Sequence, residues 1–342
     1  MRMKITIKKI AEEAGVSVTT VSNVINNKAH RVSDDKRELI ESIIKKYNYS
    51  PNMNARALVQ SSSRLIGLLY FSQTPRLDFT DPFVAEVLEG IERITKPNGF
   101  FTLVHKVTSQ KDIEMIQKNW RFDGFIAVGF SQPLFEEINK SIHVPIIFVD
   151  THLDEKIYSR LEVYPNRYFL NTDDSHAALM ATEYLIANGH KDIAFLSYGF
   201  DIHQTSVVQQ RYLGYLDALK KAKLSVKNDL AYTHNDFEDM LTDKDHYSAV
   251  LVTADYLAIR FLYFLKKHQA YSAEKLSLIG FDDIKYAEFT DPPLTTVKLD
   301  QLRKGMMAMQ MLVDIIDHKK EVAQLTNLSG KLKIRETVKK IK

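Results

Sequence analysis

Apolar residues near the start of the chain recur with helical spacing. Ile7, Ile10, Ala11 and Ala14 fall at i, i+3, i+4 and i+7, which predicts a helix over Ile7–Ala14 with one buried face. Gly15 follows, and glycine accepts the left-handed backbone that a tight interhelical turn needs. Ser17 suits the N-cap of a second helix, Val18–Ile25, whose inner face is Val21, Val24 and Ile25. The spacing of Ala11, Gly15 and Val21 is that of a helix-turn-helix. A small residue lets the helices approach, a glycine turns the chain, and an apolar residue locks the second helix onto the first. A third helix is expected from near Ser33, with Asp34 and Asp35 in its dipole-complementing first turn. Its core face would be Leu39, Ile40, Ile43, Ile44 and Tyr47.

Beyond residue 64 the pattern changes. Short apolar runs at 65–70, 101–104, 125–128, 146–149, 193–196, 249–252 and 276–280 read as strands. Helical periodicity at 84–94, 177–188, 209–222 and 256–268 falls between them, which predicts a parallel α/β body. No tandem repeat interrupts this order.

Length and charge sharpen the division. A chain of 342 residues is long enough for two or three domains. Residues 1–64 carry twelve Lys and Arg against six Asp and Glu, whereas the remainder carries thirty-four against thirty-seven. A basic head on a near-neutral body points to a polyanionic partner for the head. The absence of cysteine excludes disulfides, thiolate nucleophiles and Cys-ligated zinc. The first ten residues hold four basic ones and no apolar core, unlike a signal peptide. No run is long enough for a membrane span. A cytoplasmic protein is expected. Catalytic signatures are missing too: no nucleophile elbow, zinc helix or phosphate-cradling loop occurs. The expectation is therefore a non-enzyme without cofactor or metal. His176 and His190 read as surface or helix-end residues.

If the second helix enters a major groove, residues near its N-terminal end meet base edges. Those are Val18, Thr19, Thr20, Ser22 and Asn23. Val18 suits a thymine methyl, and Asn23 suits adenine or a phosphate. Further on, Ser50 and Pro51 form a helix start for a segment too short to be stable alone.

At this point the chain resembles the LacI/GalR family of bacterial transcription regulators. The resemblance rests on TIKKIAEEAGVSVTTVSNVIN, YNYSPNMNARAL and LIGLL in the family's order and spacing. It implies that residues 50–64 are a hinge helix and linker. Such a helix folds on the operator and wedges a leucine between base steps in the minor groove. Leu58 matches the wedge, and Ala55 and Arg56 match its neighbours. The domains implied are a helix-turn-helix head at 1–49, the hinge at 50–64 and an effector-binding, dimerising body at 65–342.

In the body the resemblance continues through DPFVAEVLEGIE, FDGFIAVG, VPIIFVD, ATEYLIANGHKDIAFL, QRYLGYLDAL, LSLIGFDD and DPPLTTVKLD. The implied fold is an all-α helix-turn-helix head plus an α/β periplasmic-binding-protein-like body of two Rossmann-like lobes. Lobe one would hold about 65–163 and 298–325. Lobe two would hold about 164–297 and a last strand near 332–338. A ligand would bind between them, at the carboxyl ends of strands. Asp150, Arg211 and Asp282 match the family's ligand positions, and Phe237 matches an aromatic that lies against a ligand ring. Tyr70 and Phe71 are candidates for the opposite wall. Asp283 reads as structural. One departure is Ala254 before Asp255, where sugar-sensing members carry Asn. Others are the long segments 72–81 and 151–167, the latter with Tyr158 and Tyr164 placed to flank the cleft.

The function implied is a sequence-specific repressor that binds a palindromic operator as a homodimer. A small molecule, foremost a sugar, would control its affinity. Two alternatives stay open: a global regulator controlled by a phosphorylated carrier protein, through basic residues near Lys298 and Arg303, or a regulator with a non-sugar corepressor.

Overall fold

In a computed structural model, residues 5–25, 32–49, 62–71, 81–226 and 230–341 are described. The chain divides into two compact units, Met1–Ser63 and Arg64–Lys342.

In the first unit α1 (Ile7–Ala14), α2 (Val18–Ile25) and α3 (Asp34–Lys46) pack around Ile10, Val21, Val24, Ile40 and Ile43. Thr6 caps α1 through the Lys9 amide, and Gly15 ends it in the left-handed region at φ 61°. The Ser17 hydroxyl accepts from the Thr20 amide at 3.1 Å, fixing the start of α2. One expectation fails. Leu39 and Tyr47 are exposed, so the inner face of α3 is narrower than its periodicity allowed. Two short helices above it leave room for only one stripe, Ile40 and Ile43, with Ile44 at its margin.

The second unit alternates strand and helix. Its elements are β1 (Leu65–Phe71), α4 (Pro82–Thr95), β2 (Phe101–Val107), α5 (Gln110–Asn119), β3 (Gly124–Val128), α6 (Gln132–Ser141), β4 (Ile146–Val149), α7 (Glu155–Tyr158) and β5 (Arg167–Thr172). There follow α8 (Asp174–Ala187), β6 (Ile193–Ser197), α9 (Val207–Lys221), β7 (Ala231–Thr233), α10 (Phe237–Thr242), β8 (Ala249–Val252), α11 (Asp255–Lys267) and β9 (Ser277–Asp282). The last are β10 (Thr295–Lys298), α12 (Gln301–Ile316), β11 (Leu325–Leu328) and β12 (Lys331–Lys333). They build two six-stranded sheets, ordered β11-β5-β4-β3-β1-β2 and β12-β10-β9-β8-β6-β7. All described pairings are parallel except β10 with β12. Each sheet is apolar on both faces, as a helix-covered parallel sheet must be.

The chain passes between the lobes three times: from β5 to α8, from β10 to α12 and from β11 to β12. The lobe boundary therefore differs from the sequence expectation. β5 joins the first sheet, so that lobe extends to Thr172 rather than 163, whereas β10 falls in the second, as expected for residues up to 297. The pattern hid β5 because Arg167 and Asn171 interrupt its apolar run. Both are buried and satisfied: Arg167 donates to Asn139 and to the Ile142 carbonyl, and Asn171 pairs with the Thr151 backbone at 2.9 Å. Tyr158 and Tyr164 are not cleft residues. They pack on Phe169 and Phe135 in the core of the first lobe. His190 is not a surface residue either. It is buried, contacting Ser248 at 2.8 Å and the Lys339 carbonyl at 3.1 Å.

The crossing helix α12 is held close to α4 by two glycines. A Cβ on Gly90 would lie 2.1 Å from the Leu302 carbonyl oxygen, and one on Gly305 would lie 2.2 Å from that of Val87. Backbones can approach this closely only where no side chain intervenes. The contact seats the N-terminal turn of α12, with Gln301 and Lys304, at the junction of the lobes.

Candidate functional site

The carboxyl ends of both sheets converge on a buried polar cluster. Asp150 follows β4 of the first lobe, Asp282 ends β9 of the second, and Arg211 lies on α9. All three are buried, so the lobes close over them. Asp150 and Asp282 take positive φ angles of 49° and 110°. Non-glycine residues hold such angles only where the surroundings over-determine them, a state common at binding sites.

The cluster contains partners that sequence reasoning missed. Lys304, fully buried, donates to Asp150 Oδ1, Asp150 Oδ2 and Thr172 Oγ1, each at 2.8 Å. All three ammonium protons are used. Asp174, at the start of α8, accepts from Arg211 Nε at 2.8 Å and contacts His152 Nε2 at 2.9 Å. Burial alone would push the Asp174 carboxyl up. The Arg211 charge and the His152 contact outweigh it and hold the group at about 2. His152 follows β4 of the first lobe, so this contact bridges the lobes. Arg211 also donates to the Thr253 carbonyl and lies over the Phe281 ring at 4.4 Å.

The buried cations near Asp282 pair elsewhere, Arg211 with Asp174 and Lys304 with Asp150. Gln301 Nε2 donates to it at 3.2 Å, but burial, with Asp81 nearby, pushes its carboxyl up to about 7 despite the Arg211 and Lys304 charges. Asp255 is buried below it, bound by Thr296 at 2.6 Å and by the Ile284 amide at 3.0 Å. Its carboxyl is also pushed up by burial and by Asp282. Asp283 is set apart from the cluster by its ion pair with Arg335.

The aromatic candidates are dispersed. Phe237 packs on Phe261 and Phe264 at 5.1 and 5.4 Å, within the second lobe. Tyr70 faces a small apolar pocket with Phe83, Val84 and Leu88, and Phe71 on the opposite sheet face lies 6.2 Å from Phe130. The geometry thus unites Asp150, Arg211 and Asp282, while the ring contacts of Phe237 and Phe71 run into lobe cores. One missed residue left a readable signal. Lys304 lies on the stripe Gln301, Lys304, Gly305, Ala308, Met309 and Leu312, where a helix otherwise buries small or apolar residues. A lysine there needs an acidic partner.

On the first unit, Val18 and Thr19 are exposed at the start of α2. The Thr20 hydroxyl contacts Ser17 Oγ at 2.9 Å, and Ser22 and Asn23 are half-buried. Ala55, Arg56 and Leu58 lie outside the described residues.

Comparison with known proteins places these features. Residues 6–52 match the family described as bacterial regulatory proteins, lacI family, and residues 182–338 match a periplasmic binding protein-like domain. The HTH-type transcriptional repressor PurR of Haemophilus influenzae is 31% identical over 360 residues, spanning 98% of this chain and 99% of its own. Among solved structures, the lac repressor dimer bound to operator and the anti-inducer ONPF has a TM-score of 0.80 at 22% identity, covering 98% of this chain and 99% of that one. The complex of the transcriptional regulator CelR with cellobiose has a TM-score of 0.69 at 22% identity, covering 97% and 99%. Both share the fold.

Proposed function

The chain belongs to the lacI family of bacterial regulatory proteins, and on that premise we propose that it is a homodimeric repressor whose hold on a palindromic operator is set by a neutral sugar between the body lobes. The observation that carries the sugar reading is the charge balance of the cleft. Arg211 and Lys304 are each already engaged by a carboxylate, while among the described residues no cation is in ion-pair contact with Asp282 or Asp255. An anionic effector would find both of these buried cations already held by carboxylates. A polyhydroxyl ligand instead offers O–H donors to the carboxylates and acceptors to the remaining guanidinium protons. Relatives by fold include a cellobiose complex, which fits the same ligand class.

The protein acts in the cytoplasm and by binding rather than catalysis. Among the described residues no helix is long and apolar enough to cross a membrane. Val18, Thr19, Thr20, Ser22 and Asn23 meet the major groove, with Val18 and Thr19 best placed for bases and Thr20 positioned through Ser17. Ala55, Arg56 and Leu58 form the minor-groove hinge. Leu58→Ala is expected to weaken operator binding by about tenfold or more, the cost of losing an apolar wedge. Fluorescence anisotropy checks this, and an unchanged affinity would remove Leu58 from the wedge.

Effector coupling is tested at Asp282. Sugar is expected to shift the wild-type operator affinity by about tenfold or more, and Asp282→Ala to reduce that ratio below about twofold. A full response from the variant would exclude Asp282 from the site.

A further inference from the structure

We infer that Ser197, Thr253 and Gln301 form the floor of the effector site and select a neutral polyol by hydrogen bonding to its hydroxyls. The inference rests on the cleft being an effector site and adds the residues that choose the ligand. Ser197 ends β6 and Thr253 directly follows β8. Leu196 and Val252 are partners in the β6–β8 ladder, so the next residues, Ser197 and Thr253, sit side by side on adjacent strands. In this sheet β6 is flanked by β7 on one side and β8 on the other. That is a topological switch point, where an open α/β sheet leaves a crevice for ligands at its carboxyl edge.

Three side-chain atoms here are sealed from solvent and, among the described residues, have no hydrogen-bond partner: Ser197 Oγ, Thr253 Oγ1 and Gln301 Oε1. Their residues are only 1–2% exposed. His234 Nδ1, just beyond β7, is in the same state. Buried polar groups in folded proteins are almost always paired, so orphans gathered at one edge call for a reason. A ligand that both donates and accepts supplies it. Gln301 Oε1 needs a donor, whereas each hydroxyl serves either role. The neighbourhood fixes the ligand's charge. Gln301 already donates to Asp282, Arg211 donates to the carbonyl of Thr253, and Arg211 is itself held by Asp174. With the nearest cation committed, and Asp282 held among the described residues by the neutral Gln301 amide rather than by a cation, an O–H group fits and a phosphate or carboxylate does not.

A stability readout separates this role from a purely structural one. A hydroxyl bonded within the protein would be missed when removed, whereas an orphan awaiting a ligand would not. The test uses full-length protein, with D-ribose, D-glucose and cellobiose as neutral probes and glucose 6-phosphate and adenine as counter-probes. Binding is read by calorimetry and the effector-free melting temperature by thermal scan. At least one neutral sugar is expected to bind the wild type. Thr253→Val should lose about tenfold or more of that affinity, Thr253→Ser should stay within about threefold, and the melting temperature of Thr253→Val should hold or rise. Ser197→Ala should repeat the pattern and serves if Thr253→Val does not fold. If a sugar binds the wild type and both hydroxyl deletions equally, this inference is overturned and the effector-site reading stands. If only a counter-probe binds, or none does, the neutral-sugar reading falls and takes the inference with it.

Discussion

Lys304→Met is expected to destabilise the body by about 3–5 kcal/mol, the usual consequence of removing one partner of a buried ion pair. The Lys304 ammonium is fully buried, and every proton it carries goes to Asp150 or Thr172 at 2.8 Å. Methionine fills a similar volume but leaves the Asp150 carboxylate largely buried, with Thr172 as its near partner. The cost is that of the stranded charge, more than that of the lost attraction. Asp150→Asn in the Lys304→Met background should therefore recover much of the loss, giving a coupling energy of about 2 kcal/mol or more in a double-mutant cycle. Trp120 is the only tryptophan and lies in the second unit, so its fluorescence in a urea titration follows the body alone. A single variant within about 1 kcal/mol of wild type would mean that the pair is not a buried clamp.

Asp282 makes stability depend on pH in an unusual direction. Its carboxyl titrates near 7 in the folded protein, raised from 3.8 first by burial and further by Asp81. Between those values the folded state holds a proton that the unfolded chain has released. Stability from this group is therefore present at low pH and lost as pH rises from about 4 to 7. A shift of that size corresponds to at most about 4 kcal/mol. Asp282→Asn removes the titration, so the stability difference between variant and wild type should grow in the variant's favour by a few kcal/mol from pH 4.5 to 7.5. Asp174 works in the opposite sense. Held at about 2 by Arg211 and His152, it contributes stability above its unfolded value of 3.8 that is lost only as pH falls towards 2. The two windows do not overlap, so urea denaturation of variant and wild type at pH 4.5, 6 and 7.5 reports, in the difference between the two profiles, Asp282 together with its coupling to Asp255, whose carboxyl Asp282 helps to raise. Parallel profiles for both proteins would contradict the assignment.

Local and tertiary signals differ in how far the sequence reveals them. In the first unit the i, i+3, i+4, i+7 stripe and Gly15 were sufficient to place α1 and α2, because three short helices leave little choice of partner. Leu39 departed because periodicity cannot measure how wide a neighbour's footprint is. In the body, strands buried on both faces read as apolar runs, and β1, β3, β4, β6, β8 and β9 followed that rule. β5 escaped because the polar groups at its ends are satisfied by residues far along the chain, such as Asn139 and Thr151. The charged cluster was half legible. Strand-end position and family pattern pointed to Asp150, Arg211 and Asp282, but which acid meets which base depends on the crossings. Asp174 and Lys304 lie on those crossings, 130 residues apart in sequence by their numbering, and both converge on the same cleft. Phe237 carried a plausible motif position, yet its ring finds Phe261 and Phe264 because they lie nearest on α11.

The central claim is that a neutral sugar between the lobes controls operator binding. Its most direct test is a fluorescence-anisotropy titration of the full-length protein on a palindromic operator at fixed salt, with and without neutral mono- and disaccharides. The account predicts specific binding to the palindrome and, for at least one sugar, a shift in affinity of about tenfold or more, equivalent to about 1.4 kcal/mol of coupling. Specific binding that no neutral sugar changes, while a phosphorylated or other charged ligand does, would contradict it.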